Sequence, residues 1–484
     1  MIEGLKPYAE YKESGSKWLG EVPRHWSLRR LGASITDCAN GVWGSDPNGK
    51  DDLICVRVAD FDRVSHRVSL KKKTLRAIPL SARSRRLLRS GDLLLEKSGG
   101  GDLQPVGAVV SYDHDEPAVC SNFVARMPVA NGYISHFVVS LHFTLYAARI
   151  NVLSIKQTTG IQNLDSKAYL REVVAFPPPD EQAAIVRFLD HANRKIDGFL
   201  RAKRKLIGLL NEQKQAIIHR AVTRGLHPDV PLKPSGIPWL GDIPKHWETI
   251  TVGASTTLIQ TGPFGSQMHS NEYVRGGIPI INPSHMKDGS IVADMGVAVG
   301  EGKLRELARH RMLVGDIVVA RRGELGRCAL VTKIAEGWLC GTGSLLVRIK
   351  RDVFAPGYFQ EVFSSSGVSD LLRLASVGST MDNLNAGMVG RLRFPLPSVE
   401  EQTKILKFIG LERTKNKAAI STTEREIALM QEYRTRLTAD LVTGKLDVRE
   451  AAAKLPDLPT DAAAPAEPLT YEAPEESETE EAEA

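Results

Sequence analysis

"SGSKWLGEVPRHW" occupies residues 14–26, and "SGIPWLGDIPKHW" occupies residues 235–247. Eight of the thirteen aligned positions are identical, among them Trp18/Trp239, Gly20/Gly241 and Trp26/Trp247, and three of the five differences (Glu/Asp, Val/Ile, Arg/Lys) preserve chemistry. The same phrase written twice, 221 residues apart, raises the question of what is duplicated with it.

The repeat continues along the chain. "SGDLLLEKSGGG" from Ser90 answers "VGDIVVARRGELGR" from Val314, each a Gly-Asp before an apolar run. Asn163-Leu164 matches Asn383-Leu384, Glu181-Gln182 matches Glu401-Gln402, and Val222-Thr223 matches Val442-Thr443, all at an offset of 220. A period this long marks a duplicated domain with its connector rather than a solenoid.

Each copy divides by texture. From Trp26 to about Pro179, and from Trp247 to about Pro397, short apolar runs alternate with Gly/Pro/Asn/Asp/Ser turns, which predicts a mainly β domain. After "FPPPDEQ" and "FPLPSVEEQ" come long proline-free segments, 181–223 and 401–442, that read as helices. In the first, Ile185, Leu189, Ala192, Ile196, Phe199, Lys203, Leu206, Leu210, Gln213 and Ile217 follow alternating steps of four and three, a seam that wants a partner helix. The second offers Ile405, Ile409, Ile420, Ile427, Met430, Leu437 and Leu441, interrupted by Glu412 and Asn416. Pairing of the two within the chain is the economical expectation, and about 42 residues at 1.5 Å each make a rod of roughly 60 Å, longer than a small domain is wide.

Charge and composition narrow the classes. Residues 451–484 hold ten acidic residues and one Lys, so the chain's net +6 divides into −9 there and +15 over residues 1–450. The acidic stretch is rich in Ala, Pro and Glu and is expected to be disordered. The basic body suits a polyanion partner, and a merely solvated surface remains the alternative at this point. No run approaches the eighteen apolar residues of a membrane helix and the first residues lack an apolar leader core, so a cytoplasmic protein without membrane association is expected. Five scattered cysteines without a CxxC pair predict neither a disulfide framework nor a metal site.

The doubled "WLG(E/D)(V/I)P(R/K)HW", the "PPPDEQ" start of a long helix, the "AVTRG" and "LVTGKLDVR" helix ends, and "TGPFGSQM…EYVRGGIPIINP…GDIVVARRGELGR" together resemble the specificity subunit of type I restriction–modification systems, over residues 10–450. The resemblance implies an α+β chain: a tandem duplication of a mainly β target recognition domain plus a long helix, the two helices pairing as an antiparallel coiled-coil spacer. It implies an N-terminal segment at 1–26, recognition domains at 27–180 and 248–398, spacer helices at 181–225 and 399–450, a linker at 226–247 that repeats the N-terminal segment, and an acidic tail at 451–484. The implied partners are double-stranded DNA, two methyltransferase subunits and restriction/translocase subunits. With reader loops as unlike as "GVWGSDPNGKDD" and "TGPFGSQMHSNE", the implied target is asymmetric and interrupted.

The catalytic inventory agrees with a non-enzymatic role without cofactors. Gly49-Lys50, Gly302-Lys303 and Gly444-Lys445 are each followed by Asp or Leu, so none forms a nucleotide-phosphate loop. "FPPPD" at Phe176 lacks the polar residue of a methyltransferase motif. Asp92 with Glu96-Lys97 has the wrong spacing for a nuclease metal site, and its duplicate carries Ala320 and Arg321 instead. A standalone restriction or modification enzyme with its own recognition domains is the alternative.

DNA contact calls for cationic and amide side chains on loops. Three sets qualify, with a structural turn as the competing reading of each. Lys97 and Ser98, with Arg321 and Arg322, follow the Gly-Asp strands. Lys156, Gln157, Thr158 and Thr159, with Ser379, Thr380 and Asn383, precede the proline blocks. Ser266 and Gln267 belong to the glycine-rich "TGPFGSQ".

Overall fold

The computed structural model describes residues 5–101, 103–158, 161–263, 267–376 and 384–456. It falls into two units, Met1–Arg204 with Arg425–Ala484, and Lys205–Glu424. The division passes through the middle of both long helices, Pro179–Arg224 and Val399–Val442, instead of between the sequence repeats. The cause is antiparallel pairing, which sets the start of one helix beside the end of the other within each unit. In the first unit Ile185, Leu189 and Ala192 share a core with Leu437 and Leu441, Arg434 bonds to Asp197, and Lys203 pairs with Glu426 at 2.6 Å. In the second, Ile218 and Val222 share a core with Ile405 and Ile409, and the Asn416 side-chain amide donates to the Leu210 carbonyl at 2.7 Å.

The predicted seam drifts. Ile185, Leu189, Ala192 and Ile196 are buried as expected, but further on Leu200 and Ile218 are buried in place of Phe199 and Ile217. A seven-residue repeat slips by ~20° per heptad on a straight helix, which over roughly four and a half heptads amounts to one residue.

In the first unit Asp92–Glu96 lies inside a six-stranded sheet whose order is Ala39–Asn40, Val124–Met127, Asp92–Glu96, Val109–Tyr112, Arg67–Val68, Phe61–Asp62. All five residues of the central strand are buried, because both its faces are covered. Leu93 and Leu95 pack with Phe137, Leu141 and Leu145 of the helix Ser135–Ala147, whereas Leu94 packs with Val110, Tyr112 and Val124, as the two-residue side-chain period of a strand requires. The second unit repeats the plan with a four-stranded antiparallel sheet ordered Thr256–Thr261, Ser344–Ile349, Ile317–Ala320, Cys328–Leu330. Ile317 and Val319 face one core and Val318 the other. In both units a short strand ending in cysteine, Ala118–Cys120 or Leu339–Cys340, runs parallel to a partner, Asp52–Val56 or Ile278–Ile281.

The Gly-Asp motifs are structural. Asp92 accepts the Arg89 amide at 2.7 Å and pairs with Arg126 on the neighbouring strand at 2.6 Å; Asp316 accepts the Leu313 amide at 2.8 Å and pairs with Arg348 at 2.8 Å.

The doubled phrase is a joint. Trp26 and Trp247 are fully buried. The Trp26 indole donates to Glu181 at 2.9 Å, Tyr8 donates to the same carboxylate, and His25 lies 2.8 Å from it. The Trp247 indole donates to Glu401 at 2.9 Å, with His246 at 3.1 Å. Each tryptophan meets the start of its own copy's long helix and the glycine that ends the other copy's helix. A Cβ on Gly225 would stand 3.2 Å from the Trp247 ring, and one on Gly444 would stand 3.2 Å from the Trp26 ring and 2.3 Å from Pro23. Both glycines have left-handed backbone, with φ of +72° and +77°, which closes a helix at low cost only for glycine. Trp18 and Trp239 pack, partly buried, against the same cores.

Packing also runs past the compositional boundary at 451. The helix Arg449–Ala453 buries Ala452, and Leu455 lies against the first core; residues 457–484 lie outside the described residues.

Candidate nucleic-acid interface

In the first unit the structure brings two of the three candidate sets together. Ser98–Gly99, Ile161–Leu164 and Ile155–Thr158 form one antiparallel sheet in which Ser98, Asn163 and Lys156 stand in a cross-strand row. The Ser98 hydroxyl donates to the Asn163 side chain at 2.6 Å, and the exposed Lys156 pairs with Asp165 at 2.8 Å. The Lys97 ammonium donates to the Asn40 side chain, and the Lys97 carbonyl accepts the Leu164 amide at 2.8 Å. Of Gln157 and Thr158 only the strand backbone is described, and Thr159 lies outside the described residues.

The second unit repeats the backbone connections. The Arg321 carbonyl accepts the Leu384 amide at 2.8 Å, the partner of the Lys97–Leu164 bond. Arg321 turns its guanidinium back onto the Leu384 carbonyl at 3.0 Å, whereas Arg322 is exposed. Burial and the neighbouring charge of Arg322 pull Arg321 below its usual pKa. Ser379, Thr380 and Asn383 lie outside the described residues, as does Ser266. Gln267 is half-buried, with its amide oxygen inward and unpartnered among the described residues.

The loops contrasted in the sequence share a frame. Gly41-Val42-Trp43-Gly44-Ser45 aligns with Gly262-Pro263-Phe264-Gly265-Ser266, a Gly-x-aromatic-Gly-Ser signal that comparison of the following residues hides. The Gly41 amide donates to the Val124 carbonyl at 3.0 Å, and the Gly262 amide to that of Ser344 at 2.9 Å. A Cβ on Gly41 would lie 2.1 Å from the Cys120 carbonyl oxygen, and one on Gly262 would lie 1.8 Å from that of Gly341, so only glycine fits either place. Sequence reasoning missed Asn40 and Phe123, whose loop closes over Lys97: the Lys97 amide donates to the Phe123 carbonyl at 2.8 Å.

The carboxylates near this surface are occupied structurally. Glu96 is buried and pairs with Arg63 at 2.8 Å; burial raises its pKa while Arg63 opposes the shift. Among the described residues no group of three or more His, Cys, Asp or Glu is arranged to hold a metal ion, and no helix is long and apolar enough to cross a membrane.

The arrangement is one of cations and amides on two matching loop frames. The specificity subunit of the type I restriction enzyme MjaVIII from Methanocaldococcus jannaschii is 24% identical over 300 residues, 60% of this chain and 66% of that protein. The chain resembles type I restriction specificity subunits. The specificity subunit of StySPI from Salmonella potsdam is 23% identical over 210 residues, 43% of this chain and 44% of the relative. The matched stretches thus span less than two thirds of these curated specificity subunits. In fold, a chain from a structure of a type I restriction–modification system, solved for its complex assembly and conformational transition, matches with a TM-score of 0.62 at 15% identity, covering 87% of this chain and 98% of that one. No family model matches the chain.

Proposed function

We propose that the chain is a non-catalytic subunit that reads an asymmetric, interrupted double-stranded DNA target, one half with each unit, and that recruits two methyltransferase subunits and the restriction subunits. The observation that carries this reading is the repeated loop frame. Lys97 and Ser98 in one unit, and Arg321 and Arg322 in the other, directly follow matching strands, and the Lys97 and Arg321 carbonyls accept the equivalent amides of Leu164 and Leu384, while the side chains differ. A shared frame with unlike polar side chains suits two readers of unlike half-sites. In the reading, residues 27–180 and 248–398 are the recognition domains and the two long helices carry the partners. Leu209, Leu411 and Leu429 on those helices are half exposed or more, apolar surface that a partner would cover.

The test is to express the chain with its methyltransferase and map methylation across the host genome. A bipartite motif whose halves differ is expected; a continuous or palindromic motif overturns the reading. Incubating the purified chain alone with methyl donor, ATP, magnesium and plasmid should give neither methylation nor cleavage.

A further inference from the structure

The two loop frames share their closing turn bond and the bond from the neighbouring strand's end, yet one carries a side chain that the other lacks. In the first unit the turn Ser121–Val124 closes with the Val124 amide donating to the Ser121 carbonyl at 3.0 Å. The Phe123 carbonyl accepts the amides of Lys97 at 2.8 Å and Ser98 at 3.3 Å, and the Ser121 amide donates to Val56 at 2.9 Å. In the second unit the Ser344 amide donates to Gly341 at 3.0 Å and the Arg321 amide to the Gly343 carbonyl at 2.9 Å. Gly343 therefore stands where Phe123 stands, and a Cβ there would lie 2.9 Å from Pro283.

Phe123 is 49% exposed at the tip of a turn whose backbone is pinned on both sides, next to Asn122, also exposed. Phe123 is bonded through its carbonyl to the amides of Lys97 and Ser98, so its exposed apolar surface belongs to the same loop cluster as the polar groups suited to a base edge. Half of the residue's surface is already covered by the protein, which leaves less ring area free than insertion between two bases would use and enough for contact with a base edge. The apolar feature of a base edge in the major groove is the thymine 5-methyl group.

We propose that Phe123 packs on the 5-methyl group of a thymine in the half-target read by the first unit, and that the second unit has no such contact because Gly343 replaces the ring. This rests on the DNA-reading function proposed above and assigns one residue a base. Removing a buried methyl group from the DNA should weaken binding by about fourfold.

The experiment uses the assembled methyltransferase and the target found by methylation mapping. Each thymine of both halves is replaced in turn by uracil, and affinity is measured for the wild-type complex and for Phe123→Ala. The wild type should lose about fourfold at a thymine in one half only, and Phe123→Ala should bind the thymine and uracil duplexes there equally. Phe123→Leu, which keeps an apolar tip, should retain part of the discrimination. If no thymine shows a methyl effect in the wild type, if the effect survives in Phe123→Ala, or if Phe123-dependent thymines occur in both halves, the proposal falls. A complex that still binds its bipartite target in any of those outcomes leaves the DNA-reading function standing, whereas failure to find a bipartite target sinks that function first.

Discussion

Trp26 donates its indole N–H to Glu181, 155 residues further along the chain, at 2.9 Å, inside a pocket where the carboxylate's side chain is only 4% exposed. The equivalent Glu401 is 22% exposed and, among the described residues, receives no counterpart of the Tyr8 hydroxyl. Glu181→Ala strands the Trp26, Tyr8 and His25 donors and should cost about 3 kcal/mol, the upper range for bonds to a charged group. Glu401→Ala should cost about half as much. Chemical denaturation of the two variants checks the order; equal losses would mean that burial does not set the strength of the joint.

Acid should weaken the fold before the carboxylates titrate. Burial lowers His142 to about 3, and His66 and His310 to about 4, from an ordinary 6.5. The unfolded chain binds these protons first, so the stability contribution is complete above about pH 6.5 and is lost as pH falls toward the folded values. Each histidine contributes a slope of up to about 1.4 kcal/mol per pH unit in that window. Urea midpoints should drop from pH 7 to pH 5, and His142→Gln should flatten the dependence. A midpoint independent of pH across that range would contradict the shielding of buried His142 and His310 and of half-buried His66 from water.

Arg322 is the cleaner probe of the second loop, since Arg321 also braces Leu384. Arg322→Ala in the assembled complex should lower DNA affinity and reduce the slope of log affinity against log salt by about 0.9, one phosphate contact's share. Loss of the methyltransferase from the complex instead, with DNA affinity spared, would move the reading surface elsewhere.

Inserting four residues near Gly208 adds roughly 6 Å of helix, close to two base-pair steps. The unspecified gap of the target, expected at about five to eight bases from half-sites one helical turn apart, should lengthen while both halves keep their bases. Changed half-site bases would mean that the helix itself reads DNA.

Much of this fold is legible in the sequence, and the parts that are not share a cause. The long helices announce themselves by local periodicity and by acidic first turns, Asp180-Glu181 and Glu400-Glu401. The duplication is visible because the joint needs the same Trp, Glu and Gly twice. The burial of Leu200 and Ile218 escapes a strict heptad reading because the error accumulates with length. The parallel pairing of Ala118–Cys120 with Asp52–Val56 spans more than sixty residues and leaves no short-range trace. At the candidate interface the Lys97 and Arg321 loops are readable from charge, but Phe123 is not: an exposed phenylalanine looks in sequence like any core residue, and its role depends on a turn closed by bonds from elsewhere in the chain.

Those bonds run from backbone to backbone. The amides and carbonyls that fix the loops at Phe123 and Gly343, at Lys97 and Arg321, and at Gly41 and Gly262 do not depend on which side chains the loops carry, apart from the glycines at closest approach. Side chains on these loops can therefore be exchanged without disturbing the sheet beneath them. Under the proposed function, such a chain can acquire a new DNA address by a few surface substitutions while its scaffold stays as it was.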